Sequence, residues 1–221
     1  MPRLCRNFDL VAPVYPLLER ASFADALTKA RRTFLNRVAS SDRILLIGEG
    51  NGRFLAELLR EKIGGHVTVV DSSPRMLSLL QKRIRSLDHR TDVQVVCTDF
   101  LTWSDELPSF DAIVTHFLLD LFRPASQRRI VSRVTELAKP QALWINVDYQ
   151  LVKSTWRHRL IDWLQYQFDV VFSGIEADRQ YDPSPYINDF GWMVEEERYF
   201  CTGSVAAQAL SRNGNRSYSP E

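Results

Sequence analysis

Three glycines at alternate positions, Gly48, Gly50 and Gly52, follow the apolar run Ile44-Leu45-Leu46-Ile47 and precede Arg53-Phe54. Glycines between a strand and a helix let the backbone turn sharply and let ligand atoms approach amide groups at the helix start. A plain strand-to-helix turn would use the same residues. Asp71 strengthens the ligand reading because it closes the next apolar run, Val67-Thr68-Val69-Val70. A carboxylate there can accept hydrogen bonds from both hydroxyls of a ribose, or it can cap the helix announced by Ser72-Ser73-Pro74. A dinucleotide fingerprint needs Gly-x-Gly-x-x-Gly, and Arg53 stands where its third glycine belongs. The spacing therefore favours a nucleoside cofactor without a pyrophosphate.

Groups able to take or orient a proton lie further along. His116 ends a fourth apolar run, Ala112-Ile113-Val114-Thr115, and imidazole titrates in the range a general base needs. Asp120 follows it and could orient an acceptor or His116, or cap the next element. Asp148 and Tyr149 follow a fifth run, and Trp156, His158, Trp163 and Tyr166 enrich the segment after it with aromatic groups. No His/Cys/Glu spacing suits a metal, and no Gly-x-Ser-x-Gly nucleophile turn is present.

The elements that must position these groups alternate. Strands are expected over 44–47, 67–70, 93–96, 112–115 and 142–147, with helices over 54–61, 74–87 and 124–137. An amino-terminal helix, or two adjoining ones, is expected over 16–38, and a long helix over 156–172. Residues 193–200 and 205–210, joined around Gly203, read as two strands added in antiparallel fashion, because so short a connection cannot hold a parallel crossover. The end from Ser217 to Glu221 is expected to fray. The fold class that follows is α/β: a Rossmann-like, mostly parallel seven-stranded sheet with helices on both faces and an antiparallel carboxyl-terminal strand. Such sheets collect ligand loops beyond the carboxyl ends of their strands. Gly48, Asp71, Asp99 and His116 all fall at such ends.

Composition bounds the rest. The chain has 221 residues, 45% hydrophobic and 25% charged, which suits one domain. Lys plus Arg total 28 against 27 for Asp plus Glu, so overall charge does not favour nucleic acid. Cys5, Cys97 and Cys201 are odd in number and widely spaced, which points to reduced thiols in the cytoplasm. The sequence offers no transmembrane segment and leaves oligomeric partners open.

In order along the chain, these segments resemble the class I S-adenosylmethionine-dependent methyltransferases, especially the small-molecule and quinone or lipid-precursor type. Ile44 to Gly52 is similar to the family's first motif, and Val69-Val70-Asp71-Ser72-Ser73-Pro74-Arg75-Met76-Leu77 to its ribose-binding segment. Cys97-Thr98-Asp99-Phe100 resembles the adenine-recognition segment, and Phe110 to Asp120 the fourth-strand motif. Asn7 to Tyr15 resembles the amino-terminal lid, and Gly191-Trp192 with Tyr199 to Gly203 the closing strands. The resemblance implies S-adenosyl-L-methionine as cofactor and S-adenosyl-L-homocysteine as product. It implies cofactor contacts from Gly48, Glu49, Gly50, Gly52, Asp71, Ser72, Met76, Thr98, Asp99, Phe100, His116 and Phe117. Acceptor-orienting or lid roles fall to His116, Asp120 and Tyr15.

The family commonly carries an acidic residue two positions before the first glycine, where it helps hold the methionyl amine. Here that position is Leu46. Glu49 could supply the carboxylate instead, or backbone and water could serve. Residues 1–221 are read as one methyltransferase domain, with a helical lid region over 1–40 and a cofactor-binding core over 41–211. The expected reaction is methyl transfer to a small-molecule acceptor, apolar or aromatic, with no nucleic acid partner. RNA methylation, an NAD-binding oxidoreductase and a non-catalytic adenosyl-binding protein are the alternatives.

Overall fold

The computed structural model describes residues 24–61, 63–104, 109–150, 177 and 179–212. Within them, seven strands form one sheet: β1 (Arg43–Ile47), β2 (His66–Asp71), β3 (Asp92–Cys97), β4 (Phe110–His116), β5 (Ala138–Tyr149), β6 (Trp192–Phe200) and β7 (Val205–Arg212). Their order across the sheet is β3-β2-β1-β4-β5-β7-β6. Strands β1 to β5 pair in parallel, while β7 is antiparallel to both β5 and β6. Strand β6 thus runs with the first five, and β7 alone is reversed. This is the seven-stranded, mostly parallel architecture expected from the sequence.

The central strands are unbroken apolar runs because both faces of the sheet are covered. Ile44 and Leu46 of β1 point into one core and Leu45 and Ile47 into the other, each at most 2% exposed. Helices α1 (Ala24–Arg32), α2 (Leu35–Ala39), α3 (Arg53–Arg60) and α4 (Pro74–Ile84) are associated with the first core, α5 (Pro124–Leu137) and α6 (Ser184–Asp189) with the second. Pro74 opens α4, and Ser73 Oγ accepts the Met76 amide at 3.2 Å, which satisfies one of the donors a helix start leaves over.

Of the two alternatives for the amino-terminal helical segment, the described part shows two adjoining helices, interrupted at Thr33-Phe34, where the Phe34 ring is buried. One strand boundary differs from expectation. Strand β5 begins four residues earlier than its apolar run, directly after α5. Lys139-Pro140-Gln141 has loop-like composition, yet Lys139 Nζ lies 2.6 Å from Asp111 Oδ1 on β4, and Ala138 pairs with Phe110 across a register shift. The expected helix over 156–172, the part of the first helix before residue 24, and the Ser217–Glu221 end lie outside the described residues. No helix among the described residues is long and apolar enough to cross a membrane.

A row of polar side chains crosses four strands inside the sheet. Trp144 Nε1 donates to Thr115 Oγ1 at 2.8 Å, and that hydroxyl donates to Asn146 Oδ1 at 2.9 Å. Asn146 Nδ2 donates to Gln208 Oε1 at 3.4 Å, and Gln208 Nε2 to Glu197 Oε1 at 2.7 Å. Thr115, Asn146, Gln208 and Glu197 are successive register partners on β4, β5, β7 and β6.

The chain leaves β1 toward β2 on one side and returns to β4 on the other, so β1 and β4 are neighbours whose connections diverge. A crevice forms at such a switch point, beyond the carboxyl ends of the strands.

Candidate active site

That crevice is a cleft of about 1050 Å³, counting the volume open at its mouth. Its wall brings together Gly48, Glu49, Gly50, Asp71, Ser72, Met76, Thr98, Asp99, Phe100, His116 and Phe117. These come from the ends of β1, β2, β3 and β4 and from α4, so topology unites residues far apart in sequence.

The three glycines have three different reasons. All have positive φ, at 68°, 65° and 77°, a backbone region that side chains disfavour. A β-carbon on Gly48 would meet Leu118 Cδ1 at 2.9 Å, one on Gly50 would meet nothing within 4 Å, and one on Gly52 would strike Leu80 Cγ at 2.7 Å. Gly50 therefore keeps space open in the cleft wall. Gly52 does not line the cleft. It is the residue before α3 and lets that segment approach α4. Loop amides are also used differently from the expectation of ligand-facing donors: the Gly48 amide donates to the Val70 carbonyl at 2.8 Å and the Gly50 amide to Asp71 Oδ2 at 2.8 Å.

Asp71 thus joins the glycine loop to the turn after β2, since its Oδ1 accepts the Ser73 amide at 2.8 Å. This cross-brace orients the carboxylate at the mouth of the glycine loop. Asp99 is held similarly, with Oδ1 accepting the Leu101 amide at 2.9 Å. Met76 is 3% exposed and Phe100 8%, with the Phe100 ring 6.5 Å from that of Trp103. Both line the cleft with apolar surface.

Leu46 is buried in the core at 1% exposure and cannot reach a ligand. The carboxylate near that end of the cleft belongs to Glu49. Its Oε1 accepts the Leu55 amide at 2.9 Å at the start of α3. Burial pushes its pKa up to about 7, against the lowering influence of the Leu55 and Phe54 amides and the Arg31 guanidinium.

Opposite stands a cationic and aromatic wall. Arg31 reaches in from α1, its Cζ 4.8 Å from the centroid of the Phe117 ring. Phe117 itself has φ of 53°, a costly conformation for a bulky residue, fixed by its amide donating to the Val147 carbonyl at 2.7 Å and by ring contact with Tyr149 at 5.2 Å. His116 is 8% exposed and packs edge-on to Phe54 at 4.7 Å. Neither ring nitrogen has a hydrogen-bond partner among the described residues. Burial, aided by Arg31, holds its pKa well below the usual imidazole range, so the ring is neutral at physiological pH.

Asp120 is not brought into the cleft wall. Its carboxyl hydrogen-bonds that of Asp148, whose pKa is driven well above the carboxylate range by burial and then by the Asp120 charge. Asp148 Oδ2 accepts the amides of Leu119 at 3.0 Å and Asp120 at 3.3 Å, fixing the turn that presents Leu118 and Leu121 to the cleft. Tyr15, Trp156, His158, Trp163 and Tyr166 lie outside the described residues. Arg31, Phe54 and Leu118 are cleft residues the sequence did not single out as ligand contacts; Arg31 stands out in the sequence only as half of the Arg31-Arg32 pair, which reads as a local basic patch or a solvated helix face.

Comparison with known proteins places this cleft in a context. Residues 44–141 match a family described as "Methyltransferase domain". The carboxy-S-adenosyl-L-methionine synthase of Nautilia profundicola is 23% identical over 110 residues, 50% of this chain and 45% of that protein. The chain thus spans about half the length of the curated relative it matches. Among solved structures, an O-methyltransferase family protein from Burkholderia thailandensis superposes with a TM-score of 0.63 at 18% identity, covering 88% of this chain and 59% of that one. An N-methyltransferase from Bradyrhizobium japonicum superposes with a TM-score of 0.62 at 17% identity, covering 86% of this chain and 99% of its own. Another structure of that enzyme, in complex with S-adenosyl-L-homocysteine, gives 0.57 at 18% identity, covering 84% and 86% of the two chains. The chain has the class I S-adenosylmethionine-dependent methyltransferase fold.

Proposed function

We propose that this chain, with its methyltransferase domain on the class I fold, transfers a methyl group from S-adenosylmethionine to a small-molecule acceptor and releases S-adenosylhomocysteine. The observation that carries the reading is the Asp71 carboxylate braced on the Gly50 amide at 2.8 Å, beside space in which a β-carbon on Gly50 would meet nothing. An oriented acceptor pair next to an open backbone is the arrangement a ribose requires. The cofactor, when bound, supplies an electrophilic methyl on sulfur and departs as a neutral thioether.

The residues present fit that group. Asp71 and Ser72 take the ribose edge, Asp99 the exocyclic amine, and Thr98, Phe100 and Met76 the faces and edge of the adenine. At the other end, Glu49 and Arg31 supply one negative and one positive group for the zwitterionic methionyl part, which answers the loss of an acid at Leu46. Phe117, Leu118, Leu121 and Phe122 wall the cleft with apolar surface; that wall supports an apolar or aromatic acceptor and excludes competing water. His116 accepts a hydrogen bond from the acceptor's hydroxyl or amine as a neutral imidazole, satisfying a ring that is otherwise buried without one. Asp120 acts as a positioning residue through Asp148 and the turn above it.

The division into a lid over 1–40, Tyr15 included, and a core over 41–211 of a single domain belongs to the same reading; Arg31 reaching the cleft from α1 supports it. Free thiols at Cys97 and Cys201 support a cytoplasmic setting.

Calorimetry with S-adenosylhomocysteine and, separately, NADH tests the cofactor. Micromolar or tighter binding of the first and none of the second is expected. Binding of NADH alone would sink the proposal. Labelled S-adenosylmethionine incubated with a metabolite extract and with RNA then reads the acceptor class, with label expected in the small-molecule fraction.

A further inference from the structure

Asn51 stands between Gly50 and Gly52, is 4% exposed, and lines the cofactor cleft. It is held there from behind. Gly52 lets α4 come close because it has no side chain to strike Leu80, and Arg83, one turn further along α4, shares a helix face with Leu80. Arg83 Nη1 donates to the Asn51 carbonyl at 2.6 Å and to Asn51 Oδ1 at 2.8 Å. A guanidinium can only donate, so the side-chain atom facing it must be the oxygen. The carboxamide is thereby fixed in one of its two orientations.

The nitrogen is turned away from Arg83, which does not line the cleft, and toward the cleft side. Asn51 Nδ2 is buried and has no hydrogen-bond partner among the described residues. A buried donor left in that condition is unfavourable, and a ligand oxygen that reaches it removes the cost. Gly50 beside it keeps space open, since a β-carbon there would meet nothing within 4 Å. Across Gly50 stands Glu49, the acid proposed above for the methionyl amine. The amine and carboxylate of an amino acid share one carbon, so the groups that recognise them must lie close together. Glu49 and Asn51, two residues apart across an open glycine, offer an acceptor and a donor at that spacing.

Resting on the cofactor reading, we propose that Asn51 Nδ2 donates to the carboxylate of the methionyl part, with Arg83 as the positioning residue that fixes the amide for it. A donor whose own oxygen is occupied suits a group that only accepts, as a carboxylate does, over the ribose hydroxyls or the amine. The loop then selects an adenosyl thioether whose amino-acid end is intact.

The test is calorimetry with S-adenosylhomocysteine and with its decarboxylated analogue, which keeps the adenosine, the thioether and the amine. Wild type should favour S-adenosylhomocysteine. Asn51→Leu should weaken S-adenosylhomocysteine about tenfold or more and leave the analogue within about twofold. Asn51→Asp replaces the donor by a second carboxylate; S-adenosylhomocysteine should fall at least as far while the analogue, whose charge is an ammonium, holds or tightens. Misfolding cannot produce that split. Arg83→Met frees the amide to rotate and should weaken S-adenosylhomocysteine about threefold, and Arg83→Lys, again a donor only, should restore it. Equal loss of both ligands in Asn51→Leu, or no loss of either, would overturn the proposal and leave the cofactor reading intact. Wild-type protein that binds neither adenosyl ligand would remove the cofactor reading and this inference with it.

Discussion

Gly52 packs against Leu80 so closely that a β-carbon on it would lie 2.7 Å from Leu80 Cγ and 3.0 Å from Leu80 Cα. The same loop therefore separates a packing glycine from a cleft glycine. Gly52→Ala should cost about 2–4 kcal/mol, since a left-handed backbone and overpacking both oppose it. Gly50→Ala should cost only about 1 kcal/mol yet weaken S-adenosylhomocysteine at least about tenfold by filling the open wall. Urea unfolding and calorimetry read the two effects; a Gly50→Ala protein that binds like wild type would show the ligand lies elsewhere.

Glu49 makes binding and stability depend on pH in opposite senses. Its folded pKa of about 7 is raised, so its stabilising contribution is complete below the unfolded value of about 4.5 and is lost as pH rises through 7. Glu49→Gln should match wild type near pH 5 and exceed it by on the order of 1–2 kcal/mol near pH 8. The ionised form is the one that pairs with a ligand ammonium, so wild-type affinity for S-adenosylhomocysteine should rise severalfold between about pH 6 and about pH 8. A flat wild-type profile would remove Glu49 as the amine contact.

The Asp120–Asp148 pair shares the same sign. Asp148 is raised well above its ordinary value, so the proton it keeps stabilises the fold in acid and is surrendered as pH rises through the native pKa. Asp120→Asn removes the neighbouring charge and retains a hydrogen-bonding group. The variant should match wild type in acid and become the more stable of the two as pH rises through the native titration of Asp148. Thermal unfolding followed from acid to alkaline pH checks it, and parallel curves for the two proteins would contradict the coupling.

His116→Phe should leave cofactor affinity within about threefold, because the edge contact with Phe54 survives in an aromatic ring. Stability should rise by about 1 kcal/mol as two unsatisfied nitrogens disappear. Methyl transfer to a hydroxyl or amine acceptor should fall about a hundredfold. Turnover at the wild-type rate would reduce His116 to a wall residue.

Much of this was legible in the sequence, for a physical reason. Strands covered on both faces must be continuously apolar, so β1, β2 and β4 stand out, and the residues at their ends, Gly48, Asp71 and His116, meet at the cleft. What stayed hidden depends on distance across the fold. Gly52 has the same spacing as its neighbours, and only the approach of Leu80 assigns it to packing. Asp120 reads equally as an acceptor-orienting acid or a cap, and only the proximity of β4 and β5 links it to Asp148. Arg31 belongs to a helix whose rotation relative to the sheet no local pattern encodes. Lys139-Pro140-Gln141 concealed the beginning of β5 because its extended backbone is held by Asp111 and pairing with β4, not by apolar side chains.

The polar row from Trp144 to Glu197 carries a consequence for assembly. Strand β7 comes last in sequence yet occupies the slot between β5 and β6, so it must enter between partners made earlier in the chain. From Thr115 onward every bond of the row donates toward the β6 edge, and Gln208 is its one member on β7. A slip of one residue would turn Gln208 to the opposite face, set Ala207 or Ala209 against Asn146, and strand an amide in the interior. Gln208 thus works as a notch: the insertion is accepted only when it clicks home in one alignment.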